Sequence, residues 1–369
     1  MFCRVSEKTQ QRKICAIRKS GLQGLIELLP VFAYLVFAAG CASPVVKADV
    51  LMPGRFSEPA QIKSVAVLPF DGPDGMEYSA MIEAKLASII IDDKQYFQLV
   101  DRKVLDKLLD EMGHGMSGLV DANKAAQVGK FAGAKGIYTG TVSVSSVYDS
   151  AYAEKRTKCD YYVDKTNSKG NTYKECGKTS EYTVDCSRRI AAVSVTPKLI
   201  EVETSRIVYS NLLEGTVTDA QCSDSGRTLR GSLTMKREAQ EQTTAKFRQD
   251  VAPFFITVAI GLKDSTSGIE SKDAKEKLKS GLEFAKNNRL DRGCEIWSEA
   301  RSFAPNSITY LYNLGVCAEV KGKLEEALSL YKQADKQLSK PDNQISVALG
   351  RVGESIEKQK KLGQQMIAK

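Results

Sequence analysis

The last third of the chain repeats its own residue types at a spacing of 34 positions. The matching pairs are Gly281 and Gly315, Leu290 and Leu324, Gly293 and Ala327, Trp297 and Tyr331, and Ala300 and Ala334. A period of this length corresponds to a unit of two packed helices. Small residues then stand where the helices approach closely, and aromatic residues fill the space between them. The spacing therefore predicts an all-α domain over residues 265–369.

This period and these residue types resemble the tetratricopeptide repeat. Pro305 closes the first copy, and Pro341 follows the second. Residues 349–366 would add a third, incomplete repeat or a capping helix. The resemblance implies a groove that binds a periplasmic or outer-membrane protein partner. A plain helical bundle is the alternative.

The first forty residues have the order of a bacterial export signal. A basic stretch ends at Lys19, and an apolar run of twelve residues follows over 28–39. That run is too short to cross about 30 Å of hydrocarbon as a helix. Small residues then lead to Cys41, which resembles the lipobox of bacterial lipoproteins. The expectation is a signal peptide over 1–40, cleavage before Cys41, acylation of Cys41 and a lipidated tether over 41–60.

The residue after Cys41 favours one membrane over the other. Ala42 stands where an aspartate would favour retention in the inner membrane. The expected location is therefore the periplasmic face of the outer membrane, with the acyl chains of Cys41 in its lipid. An uncleaved membrane anchor and an ordinary signal peptide are the alternatives.

Charge and motifs argue against nucleic-acid binding and against catalysis. The chain carries a net charge of +8, and the first forty residues, with six basic and two acidic side chains, hold +4 of it. The remaining +4 is too mild for a nucleic-acid footprint. None of the common nucleotide-binding, zinc-protease or serine-hydrolase motifs occurs. The single histidine, His114, lies between glycines in a loop. We expect no enzymatic activity, no metal and no cofactor.

Six cysteines remain after the leader and Cys41 are set aside. They are Cys159, Cys176, Cys186, Cys222, Cys294 and Cys317. An even number in an oxidising compartment favours disulfides. A metal site is the weaker alternative, because the chain has no CxxC pair and one distant histidine. The first four can pair in three ways, which the sequence leaves open. Cys294 and Cys317 fall on adjacent predicted helices, where they bridge or are simply buried.

Residues 61–264 alternate between strand and helix patterns. A short apolar run at 65–70 predicts a strand, and Asp101 and Asp121 are placed to cap helices. Period-two alternation over 192–217 predicts a long antiparallel hairpin, and 253–262 reads as a last strand. The predicted fold class is α/β, a mixed α+β layer domain with extended antiparallel hairpins, followed by the all-α repeat domain.

Four segments of this α/β domain, in order, resemble the family of the curli-secretion lipoprotein CsgG. They are VAVLPF from Val65, FQLVDRKVLDKLLDE over 97–111, AAQVGKFAGAKGIYTGTV over 125–142, and KLIEVETSRIVYS over 198–210. The resemblance implies a non-enzymatic scaffold or assembly factor for secretion, surface attachment or envelope biogenesis. It also implies self-association of the domain. The alternatives are a ring-forming secretion channel component and an activator of a peptidoglycan synthase.

The segment over 147–188 bears on the channel alternative. It is dense in lysine, aspartate and serine and lacks an outward apolar face. Basic groups cost about 2–4 kcal/mol each at the middle of a bilayer. We therefore expect this hairpin to remain in the periplasm and not to line a membrane pore.

Overall fold

The computed structural model describes residues 44–111 and 121–367. The predicted signal peptide, Cys41 and the loop around His114 lie outside these residues. The chain forms two compact units. Within the described residues, the sheet unit comprises 53–111, 121–254 and 362–367, and the helical unit comprises 44–52 and 255–361.

The sheet unit is built on one mixed sheet with the strand order β5-β2-β6-β7-β8. Strand β9 also pairs with β7, along the stretch of β7 that precedes its pairing with β8. The strands β5, β2 and β6 are parallel, and β7 is antiparallel to β6, β8 and β9. A small separate hairpin joins β3 to β4. The strands are β2 (Ser64–Val67), β3 (Ile90–Ile91), β4 (Lys94–Gln95), β5 (Gln98–Leu99), β6 (Gly136–Thr166), β7 (Thr172–Glu201), β8 (Arg206–Ser210) and β9 (Leu213–Cys222).

Helices cover both faces of this sheet. They are α1 (Ser57–Gln61), α2 (Gly75–Ala87), α3 (Arg102–Glu111), α4 (Ala122–Ala132) and α5 (Ser232–Val251). On one face, α3 and α4 pack against Ala66, Leu68 and Ile137. The next residue, Tyr138, points to the other face, where its ring lies 5.3 Å from the ring of Phe247 on α5. On the neighbouring short strand β2, the successive residues Val65, Ala66 and Val67 are all buried. This strand is therefore covered on both sides, which explains its continuous apolar run.

The sequence-predicted helix caps are present. The Asp121 carboxylate accepts hydrogen bonds from the backbone N–H groups of Asn123 and Lys124, at 3.1 and 3.0 Å. Asp101 accepts one from the backbone N–H of Lys103 at 2.7 Å. These bonds satisfy amides that the first helical turn leaves without partners, so they set where α3 and α4 begin.

The strands β6 and β7 form one hairpin of 31 and 30 residues. The polar segment over 147–188 is the outer part of this hairpin. Strand β9 accompanies β7 from Val195 as far as Cys186. Beyond Cys186 the hairpin consists of two strands alone, and most of its side chains are exposed.

The helical unit contains consecutive helix pairs and a two-stranded ribbon of β1 and β10. Its elements are β1 (Val45–Met52), β10 (Phe254–Gly261), α6 (Lys272–Lys286), α7 (Leu290–Ala300), α8 (Ile308–Val320), α9 (Leu324–Lys336) and α10 (Asn343–Met366). A 3-10 turn, Arg301–Phe303, follows α7. The last turn of α10 belongs to the sheet unit. The predicted fold class, a mixed α/β region followed by helices, is confirmed.

Two boundaries differ from those predicted by sequence. The expected tether over 41–60 contains β1 and α1. The last predicted strand of the α/β domain, β10, pairs with β1, and almost all of it lies in the helical unit, whose bounds differ from the predicted boundary at 264. The physical reason is long-range burial: Val46, Ala48 and Ile260 enter the core of the helix pairs. An alternating pattern identifies a strand but not the distant strand with which it pairs.

Within the described residues, none of the helices is both long and apolar enough to cross a membrane.

Candidate interaction sites

The repeated glycines and aromatics of the helical unit lie against each other. A side chain on Gly281 would place its Cβ 2.2 Å from Nε1 of Trp297. The indole N–H donates to the backbone oxygen of Leu278 at 3.2 Å, and Trp297 is fully buried. The glycine on α6 therefore lets the tryptophan of α7 lie directly on the helix backbone.

The second helix pair has the same arrangement. A Cβ on Gly315 would stand 2.5 Å from Cε1 of Tyr331. The phenol O–H of Tyr331 donates to the Glu319 carboxylate at 2.8 Å, and Arg351 binds both oxygens of that carboxylate at 2.6 and 2.9 Å. This chain of bonds joins α8, α9 and α10. Of the remaining repeated positions, Gly293, Ala300, Ala327 and Ala334 are buried, and Leu290 and Leu324 are partly buried.

One face of the helical unit is covered by the chain's own ribbon. Strand β1 contacts α6 and α8, which are the first helices of the two pairs. Val46, Ala48, Ile260 and Leu262 from the ribbon and its end are buried in the same core as the helix pairs. We call this surface the ribbon face.

On the ribbon face, α8 binds the backbone of the segment Gly261–Ser265. The side-chain amide of Asn313 forms two bonds with Lys263, accepting from its backbone N–H and donating to its backbone oxygen, both at 2.8 Å. The phenol of Tyr312 donates to the backbone oxygen of Gly261 at 3.1 Å. The hydroxyl of Thr309 donates to the backbone oxygen of Ser265 at 2.7 Å.

The side chain of Lys263 is held by charge. Its ammonium lies 2.7 Å from the Asp342 carboxylate and 5.3 Å from the centre of the Tyr312 ring. Burial by itself would raise the pKa of the Asp342 carboxyl. The bond from Lys263 and the backbone N–H of Ile345 outweigh that effect and hold the pKa below its usual value. Asp342 is therefore ionised and ready to bind a cation at neutral pH.

Sequence reasoning did not identify these residues. Asn313 is the only side-chain amide in the otherwise largely apolar helix α8. Such a residue in the buried face of a helix needs a hydrogen-bond partner, and this was the available signal. The identity of the partner, a backbone segment fifty positions earlier, could be obtained only from the fold.

The six candidate cysteines form three disulfides in the structure. The pairs are Cys159–Cys176, Cys186–Cys222 and Cys294–Cys317. The first lies in the two-stranded outer part of the hairpin, the second joins β7 to β9, and the third joins α7 to α8. The Glu154 carboxylate lies close to the sulfurs of Cys186 and Cys222. Because these sulfurs are bonded to each other, they do not offer thiolates to a metal ion.

A half-buried lysine of the sheet unit, Lys63, binds the end of α10. The ammonium of Lys63 donates to the backbone oxygens of Ala60 and Gln365, at 2.6 and 2.8 Å, and lies 3.2 Å from the centre of the Tyr96 ring. Burial lowers the pKa of Lys63 to about 7. The buried amide of Gln365 also exchanges two hydrogen bonds with the backbone of Gly54, both at 2.8 Å. These contacts fix the last turn of α10 within the sheet unit.

The shifted pKa of Lys63 predicts a dependence of stability on pH. The pKa is about 7 in the folded chain and about 10.4 in an unfolded one. Between these values the unfolded state binds more protons, so the free energy of unfolding rises with pH. Urea unfolding at pH 7 and pH 9 should show a larger gain for the wild-type chain than for Lys63→Met. Equal gains would show that Lys63 is charged to the same extent in both states.

Comparison with known proteins gives one family match. Residues 75–244 match the family model described as "Curli production assembly/transport component CsgG". The matched segment lies inside the sheet unit and ends before the helix pairs begin. No curated protein matches the chain.

Several solved structures are similar to part of the chain. The LpoB C-terminal domain from Salmonella enterica is 14% identical, with 51% of this chain and 93% of that chain covered and a TM-score of 0.21. The lipoprotein GNA1162 from Neisseria meningitidis is 11% identical, with 45% and 88% covered and a TM-score of 0.24. The PelC dodecamer from Paraburkholderia phytofirmans is 15% identical, with 56% and 98% covered and a TM-score of 0.23.

Proposed function

We propose that the protein is a non-enzymatic outer-membrane lipoprotein that acts as a periplasmic scaffold or assembly factor. Its processes would be secretion, surface attachment or envelope biogenesis. The observation that carries this proposal is the family match over residues 75–244, whose description names assembly and transport. The basic leader, the apolar run and Cys41 support export and lipid anchoring.

In this proposal the helical unit recruits a protein partner. The period of 34 residues and the packing of Gly281 on Trp297 and of Gly315 on Tyr331 support tetratricopeptide repeats. Arrays of such repeats bind proteins through the surfaces of their helices. The partner belongs to the periplasm or to the outer membrane.

The outer hairpin has a polar surface, which supports a periplasmic position. Lys165 and Glu175 form an ion pair across the two strands at 2.8 Å. Arg156 pairs with Asp224 at 2.8 Å. Charged pairs of this kind are well solvated in water, and moving them into the lipid would cost several kcal/mol of free energy.

Removal of the acylated cysteine tests the anchor. We expect the wild-type chain to incorporate labelled palmitate and to sediment with outer membranes, and Cys41→Ala to do neither, because two or three acyl chains give stable membrane binding. The matched control is Cys3→Ala, which alters a cysteine that leaves with the leader. Outer-membrane sedimentation of Cys41→Ala with no label in the wild type would contradict the proposed lipoprotein.

The size of the detergent-extracted, lipidated protein separates the scaffold from the channel. We expect multi-angle light scattering to give a monomer or a small oligomer, and the same sample to give no conductance in a planar bilayer. A large ring that conducts would overturn the scaffold and establish the secretion channel.

A further inference from the structure

We propose that the ribbon face of the helical unit is a binding site for an extended peptide segment in which an apolar residue precedes a lysine, and that the chain's own Gly261–Ser265 is its resident occupant. The partner is then a protein that carries an accessible segment of this chemistry. The inference rests on the partner-binding role proposed above and specifies the ligand for it.

The first argument is the spacing of the backbone contacts. The helix α8 binds the segment at Gly261, Lys263 and Ser265, which are every second residue. Alternate residues of an extended chain present their backbone groups along one edge. The side chains that bind them are Thr309, Tyr312 and Asn313, whose spacing of three and four positions places them on one face of the helix. One face of α8 therefore forms hydrogen bonds along one edge of the segment Gly261–Ser265.

The second argument is that these contacts ignore the sequence of the segment. All of them go to backbone N–H and C=O groups, which every extended peptide except one with proline at the Lys263 position offers. The two bonds of Asn313 reproduce the pairing that a neighbouring strand would supply. Recognition of main chain by an added partner gives affinity, while pockets for alternate side chains give specificity.

The third argument concerns two side chains that supply specificity. Leu262 is fully buried among the helix pairs. Lys263 binds Asp342 at 2.7 Å, and its side chain is only 13% exposed. A charge-assisted bond in a partly buried place is stronger than a surface ion pair. An apolar residue followed by lysine is therefore the chemistry that this surface selects.

The occupant is part of the same chain and continues into an exposed loop. Beyond Lys263 the segment runs into a loop in which Asp264, Ser265, Ser267 and Gly268 are exposed. A tethered occupant acts at an effective concentration on the order of millimolar. A free peptide therefore competes poorly with the intact chain, and binds well only when the resident segment is weakened.

The test is peptide binding to a chain whose occupant has been weakened. The probe is a fluorescein-labelled peptide with the sequence of residues 258–265, and the readout is fluorescence anisotropy with the full chain carrying Cys41→Ala. Lys263→Glu places a carboxylate against Asp342 and weakens the resident segment. We expect this variant to bind the probe at least tenfold more tightly than the chain with Lys263 intact. Lys279→Glu, which reverses an exposed lysine of the same unit, should bind like that chain.

Two further measurements test whether the lysine of the probe binds at Asp342. A probe with glutamate in place of its lysine should bind Lys263→Glu at least tenfold more weakly. Asp342→Asn added to Lys263→Glu should remove most of the preference for lysine in the probe. Circular dichroism and the fluorescence of Trp297 report whether each variant is folded. If Lys263→Glu unfolds, Lys263→Gln removes the bond without repulsion and takes its place.

A folded Lys263→Glu or Lys263→Gln chain that binds no probe would overturn the proposal, as would equal binding of the lysine and glutamate probes. This failure is distinct from failure of the proposed function. Loss of peptide binding would leave an acylated outer-membrane scaffold with a different partner surface, whereas absence of acylation or a conducting ring would remove the scaffold itself.

Discussion

Replacement of Trp297 by alanine should lower the free energy of unfolding of the helical unit by about 3–5 kcal/mol. Trp297 is fully buried, and its ring lies on the backbone of α6 at Gly281. The helix backbone cannot collapse into the space that the ring leaves, so the cavity persists. The indole bond to the Leu278 oxygen is lost as well. Both effects act in the same direction.

The measurement is urea unfolding of the full chain. Trp297 is its only tryptophan, so in the wild-type chain tryptophan fluorescence follows the helical unit alone. The variant has no tryptophan, so its unfolding is followed by circular dichroism, using the transition that coincides with the tryptophan signal in the wild-type chain. The matched control is Phe303→Ala, which shortens an aromatic residue of the same unit that is 55% exposed. A loss below about 1 kcal/mol for Trp297→Ala would show that this packing contributes little.

The second large effect concerns the disulfide between β7 and β9. Replacement of both Cys186 and Cys222 by alanine should cost the sheet unit about 3–4 kcal/mol, because the bridge closes a loop with a sequence separation of 36 in the unfolded chain. Both cysteines are buried, and they stand directly opposite each other on neighbouring strands of the main sheet. The sheet cannot unfold without releasing that loop.

The disulfide Cys159–Cys176 is the matched control. It closes a loop with a sequence separation of 17 but lies in the two-stranded outer hairpin. That part can open locally while the sheet remains folded. We therefore expect the double replacement Cys159→Ala and Cys176→Ala to leave the urea midpoint nearly unchanged and to accelerate proteolysis of the hairpin. Equal costs for the two pairs would mean that the hairpin and the sheet unfold as one cooperative unit.

Local patterns predicted local structure well. The caps at Asp101 and Asp121, the apolar run of β2 and the glycine and aromatic positions of the helix pairs all follow from rules that involve neighbouring residues. The hairpin predicted over 192–217 corresponds to the pairing of β7 with β8 and β9. The polar hairpin over 147–188 could also be predicted, because β6 and β7 follow each other directly in the chain. The disulfide partners could not be chosen, since four cysteines of one polar region satisfy the same compartment argument.

The ribbon face shows why the rest could not be predicted. The partners β1 and β10 are separated by some two hundred residues, and each reads as an ordinary short strand. Asn313 and Asp342 resemble polar helix residues until their contacts with Lys263 are known. The low pKa of Lys63 likewise depends on burial that only the fold provides. The strand pairing, the contacts with Lys263 and the pKa of Lys63 all arise from contacts between segments that are far apart in the sequence.

If Cys41 carries the proposed acyl anchor, the early position of β1 limits how far the protein reaches from the membrane. An unstructured tether over residues 41–60 would reach at most about 70 Å, since an extended chain spans at most about 3.5 Å per residue. Because β1 begins at Val45 and belongs to the helical unit, the linker between an acylated Cys41 and that unit would span at most about 14 Å. The helical unit is then confined to the immediate surface of the bilayer. A partner taken up by its ribbon face would be captured there, beside the lipid headgroups.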